Sequence, residues 1–246
     1  MKASDALRAL RDQADPARAA VSLGFFKTGP GEYGEGDRFL GLTVPQVRRL
    51  ASAYRDLPHG EIRRLLRDEI HEARLLALCI LVERYGKADS TERERIYRLY
   101  LDEIDHVNNW DLVDASAPYL VGVHLLAGDR ALLTKLADSP ILWRRRIAIV
   151  STWHFIRNGE FEPTLMLCDR LLDDPRDLMH KACGWMLREL GKRDSPLLEG
   201  WLEDRATRMP RTMLRYAIER LAPDRRRYYL GLKAARSGKA RIRQPA

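Results

Sequence analysis

Residues 108–114 read NNWDLVD, and the sequence continues to Gly122 with the apolar spacing of a helix. Trp110 and Asp114 are four positions apart, so this helix would present an aromatic ring and a carboxylate side by side on one face. Such a pair is the beginning of a reactive site. The rest of the sequence has to indicate which fold holds this pair and which substrate it acts on.

A repeat of about 35 residues extends from this segment in both directions. At that shift, two adjacent columns of the sequence are apolar throughout. The first column contains Ala77, Leu112, Ile147, Ala182 and Ala217, and the second contains Leu78, Val113, Ala148, Cys183 and Ile218. A shorter helix separates the longer ones each time, so the repeating unit is a helix pair, found across at least 71–221. Pairs that bury their apolar faces by stacking on neighbours are typical of a helical solenoid, and HEAT-like repeats match best.

Helical periodicity covers most of the chain, and no segment alternates with the period of a strand. We therefore predict an all-α fold, with one HEAT-like helical-repeat domain over 1–236. The predicted helices span 4–13, 16–23, 44–55, 59–68, 71–86, 90–104, 109–125, 129–138, 141–157, 161–172, 176–191, 195–204, 210–221 and 224–236.

The composition predicts a cytoplasmic protein with a sizeable core. Apolar residues make up 45% of the 246, but the longest apolar runs fall far short of the ~20 residues that a membrane-spanning helix needs. No apolar N-terminal leader is recognisable. Cys79, Cys168 and Cys183 lie in apolar helical patterns, so we expect buried thiols rather than disulfides or metal ligands.

The net charge of +8 is concentrated at the C-terminal end. From Arg205 to Ala246 there are 13 Lys and Arg against Glu219 and Asp224, a net of +11, which leaves −3 for the rest of the chain. Residues 237–246 are expected to form a mobile basic tail. An excess this concentrated favours a polyanionic partner such as nucleic acid over a merely solvated surface.

A glycine-rich loop is predicted over 25–42, where four glycines and a proline fall between Phe25 and Asp37. It lacks the GK[ST] ending and the preceding strand of a phosphate-binding loop. Long ordered loops in compact domains are usually functional. Its aromatic residues and Lys27 indicate docking onto the helical body or onto a ligand.

The repeat also predicts which side chains face outward. The column before the apolar pair is largely polar and is expected to point away from the core; it contains Leu76, Asp111, Arg146, Lys181 and Tyr216. Trp185 is the large aromatic of a later column and either fills a gap in the core or projects into a groove, and the register alone favours the core. Packing roles are expected for Trp143, Trp153 and Trp201.

Three segments together resemble one family. Residues 109–114 (NWDLVD), 143–148 (WRRRIA) and 181–189 (KACGWMLRE) are similar, in order and spacing, to the AlkD-type DNA alkylation-repair glycosylases, a HEAT-like repeat DNA glycosylase family. The resemblance covers most of the chain, from about Phe26 to the last helices. It implies a curved right-handed solenoid of antiparallel helix pairs whose concave cationic groove holds duplex DNA containing alkylated bases. It also implies a monomer without metal or organic cofactor, associated with the nucleoid when DNA is bound.

The resemblance further implies the roles of individual residues. It places Asp114 as the catalytic carboxylate, Trp110 and Trp185 beside the deoxyribose of the lesion, and Arg146, Arg188, Arg145 and Lys181 as DNA contacts. A fixed carboxylate stabilises the positive charge that develops on the sugar when an N-glycosidic bond breaks. An N3- or N7-alkylated purine is already cationic and leaves without the second carboxyl of ordinary glycosidases. A monofunctional alkylpurine DNA glycosylase is therefore predicted.

Several features leave alternatives open. Asp111 is the rival carboxylate, ranked second because it lies in the outward polar column beside Arg146 and is better placed for ion pairing. Asn109 stands where a family member carries another aromatic residue, and the loop 25–41 replaces a shorter aromatic-containing segment. These departures would change the lesions accepted, or mark a non-catalytic HEAT-like protein that binds damaged or branched DNA; a protein-interaction scaffold is the third class. No role is assigned to His106, His154 or His180, which lack the spacing of a triad or a metal site.

Overall fold

The structure, a computed structural model, describes residues 1–232, and within this range it is helical with no strand. The helices are α1 (Ala3–Arg11), α2 (Pro16–Phe25), α3 (Val44–Ala53), α4 (His59–Leu66), α5 (His71–Lys87), α6 (Ser90–Asp102), α7 (Trp110–Ala117), α8 (Val123–Leu125), α9 (Ala131–Ala137), α10 (Leu142–Arg157), α11 (Glu162–Arg170), α12 (Asp177–Gly191), α13 (Ser195–Glu203), α14 (Arg211–Ala217) and α15 (Pro223–Gly231). The all-α prediction is confirmed, and each predicted helix has its counterpart. Residues 233–236 of the last predicted helix and the predicted tail 237–246 lie outside the described residues.

Contacts divide the chain into two compact units, Met1–Leu167 and Cys168–Ala246. In the first unit the longer helices pack in chain order, α3 on α5, α5 on α7 and α7 on α10, while the shorter α4 and α9 pack on α5 and α10. In the second unit α12 packs on α13 and α14. This is the stacking of neighbouring helix pairs that the repeat predicts. The single domain predicted over 1–236 stays a prediction.

The two apolar columns form the core of these contacts. All ten of their residues are at most 1% exposed, as predicted. The prediction that the preceding column faces outward is wrong at two positions, because Leu76 is fully buried and Arg146 is only 5% exposed. Leu76 belongs to the apolar core of α5, whereas Arg146 is buried because it pairs with a carboxylate of the preceding long helix.

Helix α7 continues without interruption through a π-helical segment, Pro118–Gly122, into α8. The predicted helix 109–125 is therefore continuous but changes its hydrogen-bond pattern partway. Gly122 lies so close to α10 that a Cβ atom there would be 2.3 Å from the carbonyl oxygen of Ser151. A residue without a side chain is required for this approach, which brings α7 and α10 into register beside the site described below.

All three cysteines are free thiols, with Cys168 and Cys183 buried and Cys79 half-buried. Burial raises the pKa of the Cys79 thiol to about 11, so the group is protonated at neutral pH. The prediction of buried, unpaired thiols is confirmed for two of them and in part for Cys79. Over residues 1–232, none of the helices combines the length and the hydrophobicity that crossing a membrane requires.

Candidate active site

Asp114 lies on α7 and is held by Arg146 of α10. The guanidinium donates from Nε to Asp114 Oδ1 over 2.9 Å and from Nη2 to Oδ2 over 2.8 Å. Side-chain exposure is 20% for Asp114 and 6% for Arg146. A bidentate pair with both carboxylate oxygens engaged fixes the plane of the carboxylate as well as its position. The two side chains, predicted for separate roles in catalysis and phosphate contact, are thus brought together.

The environment of Asp114 acts on its proton in two directions. Burial raises the pKa of the carboxyl above its ordinary value, and the charge of Asp111 on the same helix adds to this rise. The charge and the hydrogen bonds of Arg146 oppose it. Arg146 is therefore the group that favours the ionised form of a largely desolvated carboxyl.

Trp110 begins α7 and is half-buried beneath the glycine-rich loop. Phe26 stacks on it with ring centroids 5.4 Å apart and planes 18° apart, and Phe25 meets it edge-on at 5.8 Å. Of the two expectations for the loop aromatics, docking onto the helical body or onto a ligand, these contacts show the first for Phe25 and Phe26. Because Phe26 covers one face of the indole, a ligand can approach only the other face or the ring edge.

The C-terminal end of the loop is anchored by Glu72 on α5. Its buried carboxylate accepts hydrogen bonds from the backbone amides of Leu40, Gly41 and Leu42, the shortest being 2.7 Å from Gly41. Gly41 has φ +85, and a Cβ atom there would lie 2.2 Å from the carbonyl oxygen of Asp15. Both the positive φ and the close approach require glycine at this point. The loop is thus an anchored part of the first unit.

A buried cluster of charged and polar side chains joins the same loop to α5 and α7. His71 Nδ1 lies 3.1 Å from Asp37 Oδ2, and His71 Nε2 lies 2.7 Å from Asp111 Oδ2. Arg74 of α5 pairs with Asp37 through Nη2. Asn109 donates to Asp37 over 2.9 Å, and its Oδ1 accepts from the backbone N–H of Trp110 at the start of α7. We name the five side chains of this network the buried charge cluster: Asp37, His71, Arg74, Asn109 and Asp111.

Protonation in the cluster follows from its hydrogen bonds. Burial opposes a charge on His71, but the hydrogen bonds and charges of Asp111 and Asp37 outweigh it and raise the pKa of the imidazole to about 9. Burial by itself would raise the pKa of Asp37. The hydrogen bond with His71, the charge of Arg74 and the hydrogen bond from Asn109 outweigh burial and leave this pKa below its ordinary value. At neutral pH the cluster therefore contains an imidazolium between two carboxylates.

Asp111 was expected to be better placed for ion pairing than Asp114 because it lies beside Arg146 in the repeat, but Arg146 pairs with Asp114 and Asp111 pairs with His71. Ion pairing therefore does not separate Asp111 from Asp114, because each carboxylate has a cationic partner. His71, Asp37 and Arg74 were not predicted as parts of the site, and Asn109 was noted only as a departure from the family. The one signal, for His71 and Arg74, is that charged residues occupy the first turn of α5, directly before its apolar run 75–82.

Three predicted site residues belong to α12 in the second unit. Trp185 is half-buried and is not among the fully buried residues of that helix. Lys181 pairs with Asp177 over 2.8 Å, with 42% and 58% of these side chains exposed. Arg188 pairs with Glu219 over 2.5 Å and with Glu189 over 3.4 Å. The cations of α12 thus lie in pairs that water reaches.

Arg144 and Arg145 of α10 also have partners within the first unit. Arg145 donates through Nη1 to the carbonyl oxygens of Ser139 and Pro140, over 2.9 and 2.8 Å. Arg144 forms a bidentate pair with Asp105, donating from Nε over 2.9 Å and from Nη2 over 2.8 Å. This pair has the geometry of Asp114 with Arg146, but 60% of the Asp105 side chain is exposed. It is a matched reference for the candidate site.

The remaining tryptophans are Trp143, Trp153 and Trp201. Trp143 and Trp201 are buried, as their predicted packing role requires, while Trp153 is half-buried beneath Arg157. Among residues 1–232, no three or more His, Cys, Asp or Glu side chains are grouped so as to hold a metal ion. The chemistry available at Asp114 is that of a fixed carboxylate beside an aromatic ring.

Comparison with known proteins assigns the chain to a family. The family model described as "DNA alkylation repair enzyme" matches residues 6–221. A solved structure described as "Predicted DNA alkylation repair enzyme from Enterococcus faecalis" is similar with a TM-score of 0.67 and 16% sequence identity, covering 86% of this chain and 98% of that chain. At this identity the likeness shows a shared fold. A comparison with curated proteins finds no match.

Proposed function

Because the chain belongs to the DNA alkylation repair enzyme family, we propose that it is a DNA glycosylase of the AlkD type. It hydrolyses the N-glycosidic bond of cationic N3- or N7-alkylated purines in duplex DNA. The observation that carries the proposal is the desolvated Asp114 carboxylate, held in a bidentate pair by Arg146 and placed one helical turn from Trp110.

The carboxylate supplies the electrostatic part of the reaction. As the glycosidic bond breaks, the deoxyribose gains positive charge, and an oriented anion stabilises that charge without having to reorganise. Burial raises the pKa of Asp114, and the charge and hydrogen bonds of Arg146 oppose this rise and favour the carboxylate. The alkylated purine departs as a neutral base, so no residue has to donate a proton to it. Water then attacks the sugar to complete the hydrolysis.

The aromatic ring of Trp110 supplies the second part. Phe26 supports one face of the indole, so the sugar of the lesion meets the opposite face or the edge, where the π-system attracts polarised C–H groups. Trp185 is proposed as the second aromatic contact of the sugar. The proposed reaction uses no metal and no organic cofactor, and the proposed enzyme acts as a monomer.

Duplex DNA is the proposed partner, bound through phosphate contacts of Arg146, Arg188, Arg145 and Lys181. The net charge of +8 supports a polyanionic ligand. Arg146 engages Asp114 through two donors, so its contribution to DNA binding is expected to be smaller than that of Lys181 or Arg188. The proposed location is the cytoplasm, on the nucleoid when DNA is bound.

The proposal is tested with methylated duplex DNA and the variant Asp114→Asn. Wild type is expected to release 3-methyladenine or 7-methylguanine, and the variant to release it roughly 100-fold more slowly or worse, since loss of one oriented electrostatic group typically has that effect. The control is Asp105→Asn, which neutralises the matched exposed pair with Arg144. It should retain the wild-type rate, and both variants should still bind DNA.

Two outcomes would overturn parts of this proposal. Equal rates for wild type and Asp114→Asn would remove Asp114 from the catalytic role. Tight, salt-sensitive binding with no base released from any cationic lesion would favour the other candidate, a non-catalytic protein that binds damaged or branched DNA. One observation favours this second candidate. Phe26 covers one face of Trp110, which leaves less room beside the indole for the sugar of a lesion.

A further inference from the structure

His71 connects the glycine-rich loop to the helix that carries Asp114, and the reaction proposed above makes no use of it. Its side chain is 2% exposed and its two ring nitrogens face carboxylates of different elements, Asp37 from the loop and Asp111 from α7. A neutral imidazole has one N–H, so one of these two contacts would set a nitrogen lone pair against an oxygen anion. The geometry therefore suits an imidazolium that donates to both.

We propose that His71 is a positioning residue, an imidazolium that compensates the charge of Asp111 beside Asp114 and fixes Phe26 against Trp110. The inference rests on the proposed function in one respect, because it assigns His71 a part in the reaction of Asp114. The pKa of His71, about 9, agrees with the protonated state over the physiological range.

The first effect of His71 is electrostatic. Asp111 and Asp114 are three residues apart on α7, where side chains are neighbours, and the charge of Asp111 favours protonation of Asp114. With His71 protonated, the charges of Asp37, Asp111, His71 and Arg74 cancel. Loss of the imidazolium would leave one negative charge uncompensated in the interior next to the catalytic carboxylate. Arg146 would then have to balance two anions.

The second effect of His71 is to hold a cluster of aromatic rings. Phe39 stacks on the imidazole with centroids 4.6 Å apart, and Phe26 lies 4.9 Å from Phe39 and 5.0 Å from the imidazole, so these three rings are in mutual contact. Trp110 stacks on Phe26 at 5.4 Å. A cationic imidazole is attracted to the faces of adjacent aromatic rings. The position of Trp110 thus depends, through Phe26, on the side chain that also bridges Asp37 and Asp111.

A further observation concerns the second oxygen of Asp111. Oδ1 is buried and has no hydrogen-bond partner among the described residues, so His71 supplies the polar compensation of this carboxylate. Arg146 of α10 holds Asp114, and Arg48 of α3 contacts Cys79, a thiol whose pKa the charge of Asp111 also raises. Neither of them pairs with Asp111 in the way His71 does.

A purely structural cluster and a positioning cluster predict different measurements. If His71 only stabilises the fold, His71→Gln lowers stability and leaves the ionisation of Asp114 unchanged. If His71 compensates Asp111, His71→Gln raises the pKa of Asp114, and the additional change Asp111→Asn removes the uncompensated charge and reverses the effect. The second change restores no packing, so a merely structural role would not produce the reversal.

The experiment measures single-turnover base release from methylated duplex DNA as a function of pH for wild type, His71→Gln and His71→Gln/Asp111→Asn. The acid limb of the His71→Gln profile should move up by about one pH unit, which is a tenfold lower rate on that limb, because a like charge at a neighbouring position shifts a carboxyl by about this amount. The double variant should return to the wild-type limb. An unshifted limb in His71→Gln, or no return in the double variant, overturns the proposal.

The same proposal is tested without turnover by ¹³C NMR titration of the Asp114 carboxyl in the three proteins. The expected shift and its reversal hold even if no base is released, so failure of the glycosylase proposal and failure of this one are distinguishable. Should His71→Gln not fold, ¹⁵N NMR of wild-type His71 decides the matter. Protons on both ring nitrogens at pH 7.5 support the imidazolium, and a proton on only one overturns it.

Discussion

Arg146 and Lys181 occupy the same column of the 35-residue repeat, but they lie in opposite environments. Arg146 on α10 is buried with Asp114, while Lys181 on α12 and its partner Asp177 are 42% and 58% exposed. Both were predicted as phosphate contacts. The difference teaches that position in a repeat does not determine what a charge does: a desolvated pair maintains geometry, whereas an exposed pair can exchange its carboxylate for another anion.

The physical reason lies in hydration. Separating a buried pair leaves one charge in the interior without a partner, which is costly, so the pair behaves as a fixed unit. An exposed pair has water available to both members and contributes little when formed or broken. A DNA phosphate therefore competes with Asp177 for Lys181 far more readily than with Asp114 for Arg146.

Among the variants that test this comparison, Arg146→Met is expected to change the free energy of unfolding most. Removing the guanidinium leaves Asp114 desolvated and unpaired, and the free energy of unfolding should fall by about 4 kcal/mol, as for other buried pairs with one partner removed. Urea unfolding at neutral pH measures it. The matched control is Arg144→Met, which removes the same bidentate geometry from the exposed Asp105 and should lower stability by about 1 kcal/mol or less. Equal losses would show that burial does not distinguish the two pairs.

A pH-dependent effect is expected from His71. Its pKa is about 9 in the folded protein and 6.5 as the ordinary value. Below pH 6.5 folded and unfolded chains both bind the proton, and the stabilisation is fully present. As pH rises from 6.5 to 9 the unfolded chain has lost its proton while the folded protein keeps it, so roughly 3 kcal/mol is lost across this window.

Urea unfolding between pH 6 and pH 10 measures this decline, with His71→Gln as the control. The difference in stability between wild type and variant should shrink as pH rises through the window. A difference that stays constant with pH would mean that His71 is neutral in the folded protein.

Glu72→Gln should have a smaller effect, confined to the loop. The amide keeps one oxygen that can accept from Gly41 but loses the charge that strengthens its bonds to three backbone amides, so stability should fall by about 2 kcal/mol. Hydrogen exchange should show faster amide exchange at residues 40–42, while exchange in α10 stays unchanged. Equal acceleration in both places would mean that the loop and the helix open together.

The smallest effect on stability is expected at α12. Lys181→Met should change the free energy of unfolding by no more than about 0.5 kcal/mol, because its pair is exposed. Its effect should appear in DNA binding, where loss of one phosphate contact lowers the slope of log Kd against log salt by about 1. Asp177→Asn, which removes the negative charge paired with the lysine, should tighten binding. An unchanged salt slope in Lys181→Met would remove this residue from the DNA contacts.

Much of the framework followed from periodicity. The ten residues of the two apolar columns are buried as predicted, and the predicted helices match the observed ones because apolar spacing is a local property of the chain. The predicted pairing of aromatic and carboxylate on α7 is also local, since it needs only the geometry of one helix turn. Docking of the loop aromatics onto the helical body was one of the two expectations from the sequence. The sequence did not predict that Phe26 would cover a face of Trp110.

The sequence by itself determined the all-α fold, the helix pairs and the residues that form their core, because each of these depends on spacings of a few residues along the chain. Only the tertiary structure decided which charges are desolvated and whom they pair with. Arg146 meets Asp114 across 32 residues and His71 meets Asp111 across 40, and such partners are chosen by side-chain reach and burial between packed helices. The fixed carboxylate on which the proposed reaction depends is therefore a product of packing.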